Sequence, residues 1–270
     1  MASMKIRFSR TPWLVKFFLP LLIIAPLIAP VNFVIVQPGP ATDLFPKLLK
    51  IKKSNATSYP ADGSMYLLTI YVSNPDAKIF GIEVVSCWAR PDCVVIPRSV
   101  YYDRDATTEK EEKSGKRDMK KSQSSAVLAA KALVKKYYPQ VPVDQLSDSS
   151  IDVTLENTGG PSGGLIFSLG IVELLTEANL LQGRKIAATG TISPSGKVGP
   201  IGGVEEKILG AKRVGATLLF VSKENCNEVP VAVTDLQVIA VSSLDEAYKY
   251  LLEPKKANSS GVLGCTNLGA

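Results

Sequence analysis

A chain of 270 residues has the length of one or two domains, and 46% hydrophobic with 21% charged residues is the composition of a folding protein rather than a disordered one. The 31 basic and 25 acidic residues give a net charge of +6, scattered without an aromatic-rich basic stripe, so neither composition nor pattern points to nucleic acid. Histidine is absent altogether, which excludes Ser-His-Asp and Cys-His catalysis, H-E-x-x-H metal helices and any imidazole base.

In chain order, the first feature is the 24-residue run Trp13–Val36, whose only charge is Lys16. Its length matches a bilayer span, and Lys5, Arg7 and Arg10 before it place the N-terminus in the cytoplasm. The expectation is a single-pass membrane anchor with everything after it on the extracytoplasmic side. A cleaved signal peptide is the alternative, against which the run is too long and Ala25 and Ala29 are each followed by proline. Lys47, Lys50, Lys52 and Lys53 follow beyond the run.

Residues 37–121 read as an extended linker, opened by Gln37-Pro38-Gly39-Pro40, and an N-terminal β part. Ser64–Ser73 has the β-branched and aromatic content of a strand, and Ile82–Ser86 and Cys93–Pro97 are shorter strand candidates. Asp103–Lys121 is nearly devoid of apolar residues and reads as a solvated loop. Of the four cysteines, Cys87 and Cys93 are either a small disulfide loop or ordinary thiols. With no C-x-x-C pair and no histidine, no metal site is expected.

Residues 122–252 carry alternating helices and strands, an α+β pattern. Ser122–Tyr138 has helical spacing, Ile151–Glu156 alternates like a strand, and Pro161–Ala178 is an apolar helix with proline in its first turn. Lys185–Ser193 is a strand leading to a glycine-rich turn. Val204–Val214 is a helix, Thr217–Ser222 and Leu236–Ser242 are strands, and Leu244–Leu252 is a helix. Residues 253–270 read as a flexible tail.

Three stretches carry chemistry. Gly159-Gly160-Pro161-Ser162-Gly163-Gly164 formally satisfies G-x-S-x-G, but without histidine the usual triad is closed to it. The pattern leaves a serine at a helix N-terminus, where the amides of Ser162 and Gly163 can hold an oxyanion. A capping serine in a tight turn is the alternative. The stretch Gly199–Lys207 puts Lys207 in the first turn of a helix, where the helix dipole and apolar neighbours weaken a lysine's hold on its proton, as a lysine base requires. A surface lysine paired with Glu205 or Glu206 is the other reading. Ala187–Ile192 ends a strand with hydroxyls at Thr189 and Thr191. Gly190–Lys197 is no phosphate loop, because Val198 stands where Ser or Thr is required, so no nucleotide site is expected.

Taken together, GGPSGG, the T-G-T turn and GKVGPIGGVEEK followed by ILGAKRVGATLLFVSKEN resemble the proteolytic domain of Lon proteases. The resemblance runs from about Ile151 to Leu252. The anchor, linker and Ser122–Ala130 helix extend it toward membrane-anchored bacterial Lon-like enzymes. It implies an α+β domain of ribosomal-protein-like β-α-β layout and a Ser-Lys dyad, with Ser162 the nucleophile, Lys207 the general base and Thr189 steadying the lysine. It further implies an ATP-independent serine endopeptidase acting on unfolded or membrane-associated proteins, without cofactor or metal, assembled as a homo-oligomer for which hexameric rings are usual. The chain departs from the family in having Gly159 where an acid often precedes the serine by three positions. It also leaves only about a dozen residues between Tyr138 and Ile151, too few for the PDZ module of many anchored relatives. An inactive Lon-like membrane scaffold and a signal-peptidase-like Ser-Lys protease are the alternatives.

Overall fold

The computed structural model describes residues 12–52, 57–146, 150–153, 158–230, 233–253 and 262–265. In chain order these form α1 (Trp13–Ile28), β1 (Pro30–Val31), β2 (Phe33–Asp43), β3 (Leu49–Ile51), β4 (Ser64–Val72), β5 (Ile79–Phe80), α2 (Gly81–Trp88), β6 (Val94–Pro97), α3 (Arg98–Tyr101) and α4 (Thr108–Tyr137). There follow β7 (Ile151–Val153), α5 (Gly164–Leu175), β8 (Lys185–Ala188), β9 (Thr191–Ile192), β10 (Val198–Gly199), α6 (Val204–Arg213), β11 (Leu218–Ser222), β12 (Gln237–Val241), α7 (Leu244–Leu252) and β13 (Val262–Leu263).

Seven strands make one mixed sheet in the order β13-β12-β11-β8-β4-β2-β6. The pairs from β13 to β4 are parallel, and β2 runs antiparallel to both β4 and β6. The parallel strands are buried on both faces, so their sequences are apolar runs such as Leu218–Ser222 rather than alternating ones. On one face lies α6, packing Val204, Ile208 and Ala211 onto Leu68, Ala187, Leu219 and Val221. On the other lies α5, whose twelve residues are all buried between the sheet and α4, with α7 beside it. A helix apolar on every side is the kind that sits inside a core.

The apolar run Trp13–Val36 does not form one span. Helix α1 takes 16 residues and ends before Pro30, and Phe33–Val36 enters the sheet as β2, burying alternate residues Val34 and Val36. At 1.5 Å per residue α1 is roughly 24 Å long, short of a bilayer core of about 30 Å. Among the described residues no helix is long and apolar enough to cross a membrane, and residues 1–11, with Lys5, Arg7 and Arg10, lie outside them.

Five other expectations change. Gln37–Pro40 is a kinked part of β2, whose pairing with β4 shifts register between Pro38 and Ala41, rather than a linker. Ile82–Ser86 is helical, because the Glu83 carboxylate accepts the Phe80 N–H at 2.8 Å and starts α2. Most of Asp103–Lys121 belongs to the 30-residue α4, capped by Thr107 accepting the Lys110 N–H. The boundary at 121/122 therefore falls inside a helix, and β2 and β4 share their sheet with β8. Within the expected tail, β13 pairs with β12 and Cys265 is bonded to Cys226; Cys87 is bonded to Cys93. Residues 154–156 of the strand expected at Ile151–Glu156 lie outside the described residues.

Candidate active site

Ser162 lies at the entry to α5, in a loop held from two sides. On the α4 side, the Gly160 N–H donates to the Gly115 carbonyl at 2.9 Å and the Ser122 hydroxyl donates to the Pro161 carbonyl at 2.9 Å. On the sheet side, the Ser162 carbonyl accepts the Gly190 N–H at 2.9 Å and the Thr189 hydroxyl at 3.5 Å, and the Leu165 N–H donates to the Gly190 carbonyl at 3.1 Å. These bonds tie the Ser162 loop to the end of β8.

Two of the glycines in this arrangement answer to packing. A Cβ on Gly159 would stand 3.0 Å from the Gly115 Cα, so the loop and α4 touch backbone to backbone. A Cβ on Gly164 would stand 2.9 Å from the Ile192 backbone nitrogen, so α5 can start against β9 only with glycine there. The glycine bracket around Ser162 thus positions the loop, a role beyond giving a substrate room.

The bonding leaves two donors over. Gly164 donates weakly to the Pro161 carbonyl at 3.4 Å and Leu165 is committed to Gly190, whereas the Ser162 and Gly163 amides make no hydrogen bond among the described residues. Two adjacent N–H groups at the N-terminus of a buried helix are suited to a developing negative charge.

Lys207 stands in the first turn of α6, its N–H closing the first helical bond to the carbonyl of Gly203, which caps the helix in a left-handed conformation at φ 69°. The side chain is 3% exposed and makes no ion pair or hydrogen bond among the described residues. Burial lowers its pKa from 10.5 to about 8, partly opposed by the charges of Glu206 and Glu228. The surface lysine paired with an adjacent glutamate is therefore not what the fold contains. Thr189 is 1% exposed and its hydroxyl is directed to the Ser162 carbonyl rather than to the lysine. The structure thus joins Ser162 and Thr189 directly. Lys207 stands on the helix that packs on the opposite face of the sheet, with no hydrogen bond to either among the described residues.

One positioning residue was invisible in the sequence. Asn225, 1% exposed, accepts the Ile201 N–H at 3.0 Å and donates to the Ile201 carbonyl at 2.8 Å, with a further bond to Glu228 at 2.7 Å. It clamps the loop that leads into α6 and so fixes where Lys207 begins. A single asparagine in K-E-N-C-N-E carries no local signal for this. Among the described residues no cluster of Cys, Asp and Glu is placed to hold a metal ion.

Residues 113–254 match the Lon protease (S16) C-terminal proteolytic domain, slightly more than half of the chain. Over 141 residues the chain is 32% identical to the mitochondrial Lon protease homolog of Caenorhabditis elegans, covering 50% of this chain and 14% of that protein. It is 38% identical over 100 residues to a Lon protease of Metamycoplasma arthritidis, covering 36% of this chain and 12% of that protein. It is 41% identical over 91 residues to Lon protease 2 of Herpetosiphon aurantiacus, covering 32% and 11%. The chain thus spans only about an eighth of the length of the curated relatives it matches. With the glycine-bracketed serine, the buried lysine and the mixed sheet in place, this chain belongs to the family of Lon protease proteolytic domains.

Proposed function

We propose that this chain is a serine endopeptidase working through a Ser162–Lys207 dyad. The Ser162 oxygen attacks a peptide carbonyl carbon while the neutral Lys207 amine takes the hydroxyl proton, and the Ser162 and Gly163 amides stabilise the tetrahedral anion. The Lys207 ammonium returns that proton to the leaving amine. Water then hydrolyses the ester, the same amine accepting the water proton and passing it to the departing Ser162 oxygen, which restores the starting dyad. The observation that carries this reading is the buried lysine, whose pKa of about 8 leaves roughly a tenth of it neutral at pH 7 and half at pH 8, in a chain that has no imidazole. Thr189 contributes by holding the Ser162 backbone.

The proposal extends to ATP-independent action on unfolded or membrane-associated proteins, as a homo-oligomer. Membrane attachment on the extracytoplasmic side rests on two features. None of the residues of α1 is buried, so it presents apolar side chains such as Trp13, Phe17 and Leu22 outward. The two disulfides fit an oxidising compartment. The full chain should remain with membranes through a carbonate wash; release by that wash removes the tether from the proposal.

The test of the activity is cleavage of an unstructured protein such as reduced casein by the full chain, without nucleotide. Cleavage should be lost in Ser162→Ala and in Lys207→Ala, and undiminished cleavage by either variant refutes the dyad.

A further inference from the structure

Beside the nucleophile loop a cleft of about 340 Å³ opens between α4 and β9. Its end wall is Pro161, the residue before Ser162. One side wall is Thr191 and Ile192, which follow directly on the Gly190 that binds the Ser162 carbonyl. The other is a stripe of α4, Asp118, Ser122 and Ser125, at the spacing that puts residues on one helix face, with Lys121 beside it.

The two serines differ. Ser122 is committed, its hydroxyl donating to the Pro161 carbonyl. Ser125 is 8% exposed, lines the cleft, and makes no hydrogen bond among the described residues. Its oxygen is not sealed in the fold but open to the cleft, so a group entering the cleft is positioned to be its partner. Asp118 and Lys121 contribute opposite charges, so the lining favours neither an acidic nor a basic occupant. Ile192, Pro161 and the Thr191 methyl supply the apolar walls.

We propose that this cleft is a substrate subsite: it receives the side chain of a residue flanking the scissile bond, uncharged and long with a polar tip, such as glutamine or tyrosine, and Ser125 selects it by hydrogen bonding to that tip. The proposal rests on the peptidase reading above. It makes Ser125 a specificity residue that takes no part in bond making. A hydroxyl both donates and accepts, so amide and phenol tips both suit it. The loss of one such bond to a neutral group corresponds to roughly a five- to tenfold change.

The test is the distribution of cleavage sites in reduced casein, mapped by mass spectrometry of products from the full chain. The wild type should favour uncharged, polar-tipped residues at one fixed position beside the cut. Ser125→Ala should lower that preference about five- to tenfold while aliphatic residues at the position are cut as before. Ser125→Leu fills the cleft and should shift cutting to small residues. If Ser125→Leu does not fold, Ile192→Ala, which widens the cleft from the opposite wall, should broaden the preference toward larger residues. An unchanged site distribution in an active, folded Ser125→Ala or Ile192→Ala variant overturns the subsite and leaves the dyad standing. Undiminished casein cleavage by Ser162→Ala overturns the peptidase reading itself.

Discussion

Replacing Lys207 with methionine should stabilise the protein while abolishing its activity. The amine is 3% exposed and its pKa falls from 10.5 to about 8, so the folded state binds its proton more weakly than the unfolded chain does. At about 1.36 kcal/mol per pKa unit the buried charge costs roughly 3 kcal/mol at pH 7. The sign follows from proton counts. Below pH 8 the lysine is charged in both states and the full cost applies. Between pH 8 and 10.5 the folded lysine is neutral while the unfolded one is still charged, so wild-type stability rises and the cost fades. Lys207→Met removes the charge and keeps most of the volume. Urea denaturation should show a gain of about 3 kcal/mol at pH 7, shrinking to about 1 kcal/mol at pH 10. A gain independent of pH, or a destabilised variant at pH 7, refutes the claim that this lysine is a desolvated amine.

Three further outcomes follow from the loops around the dyad. Gly115 lies within the exposed, charged half of α4, where alanine would ordinarily add up to about 1 kcal/mol. Its Cβ would stand 3.3 Å from the Gly159 Cα. Gly115→Ala should therefore lower kcat with little change in KM and without that gain in stability, as read by casein turnover and thermal unfolding. Asn225→Ala leaves both polar groups of Ile201 without their partner and should cost about 1–3 kcal/mol and reduce turnover; unchanged kcat would show that the clamp does not position Lys207. The bond between Cys226 and Cys265 closes a separation of 39 residues, and replacing both with serine should cost roughly 3–4 kcal/mol in chemical denaturation.

The family was legible in the sequence because its marks sit in short contiguous motifs. Ser162, Thr189 and Lys207 each lie within a few residues of glycines, and the absence of histidine turned attention to lysine. Helices whose buried face repeats at helical spacing, such as α7, were legible to the residue. Expectations failed where short-range pattern competed with tertiary pairing. Phe33–Val36 is as apolar as the helix before it, and the neighbouring β6 and β4 decide that it is a strand. A short apolar run such as Ile82–Ser86 is ambiguous between helix and strand, and Glu83 resolves it. The first half of α4 has almost no apolar stripe, yet Thr107 at its cap and Glu109 and Glu111 in its first turn are helix-start signals independent of hydrophobicity. The disulfide to Cys265 and the Asn225 clamp depend on contacts between distant segments, which no local pattern encodes.

The proposed dyad requires a buried amine that activates Ser162. The most direct measurement is the rate at which a serine-directed fluorophosphonate labels the full chain across pH 6 to 10, with the modified residue identified by peptide mapping. Labelling at Ser162 should rise with an apparent pKa near 8, level off above it, and vanish in Lys207→Ala. Labelling that is flat across this range, or that persists when Lys207 is replaced, contradicts the claim.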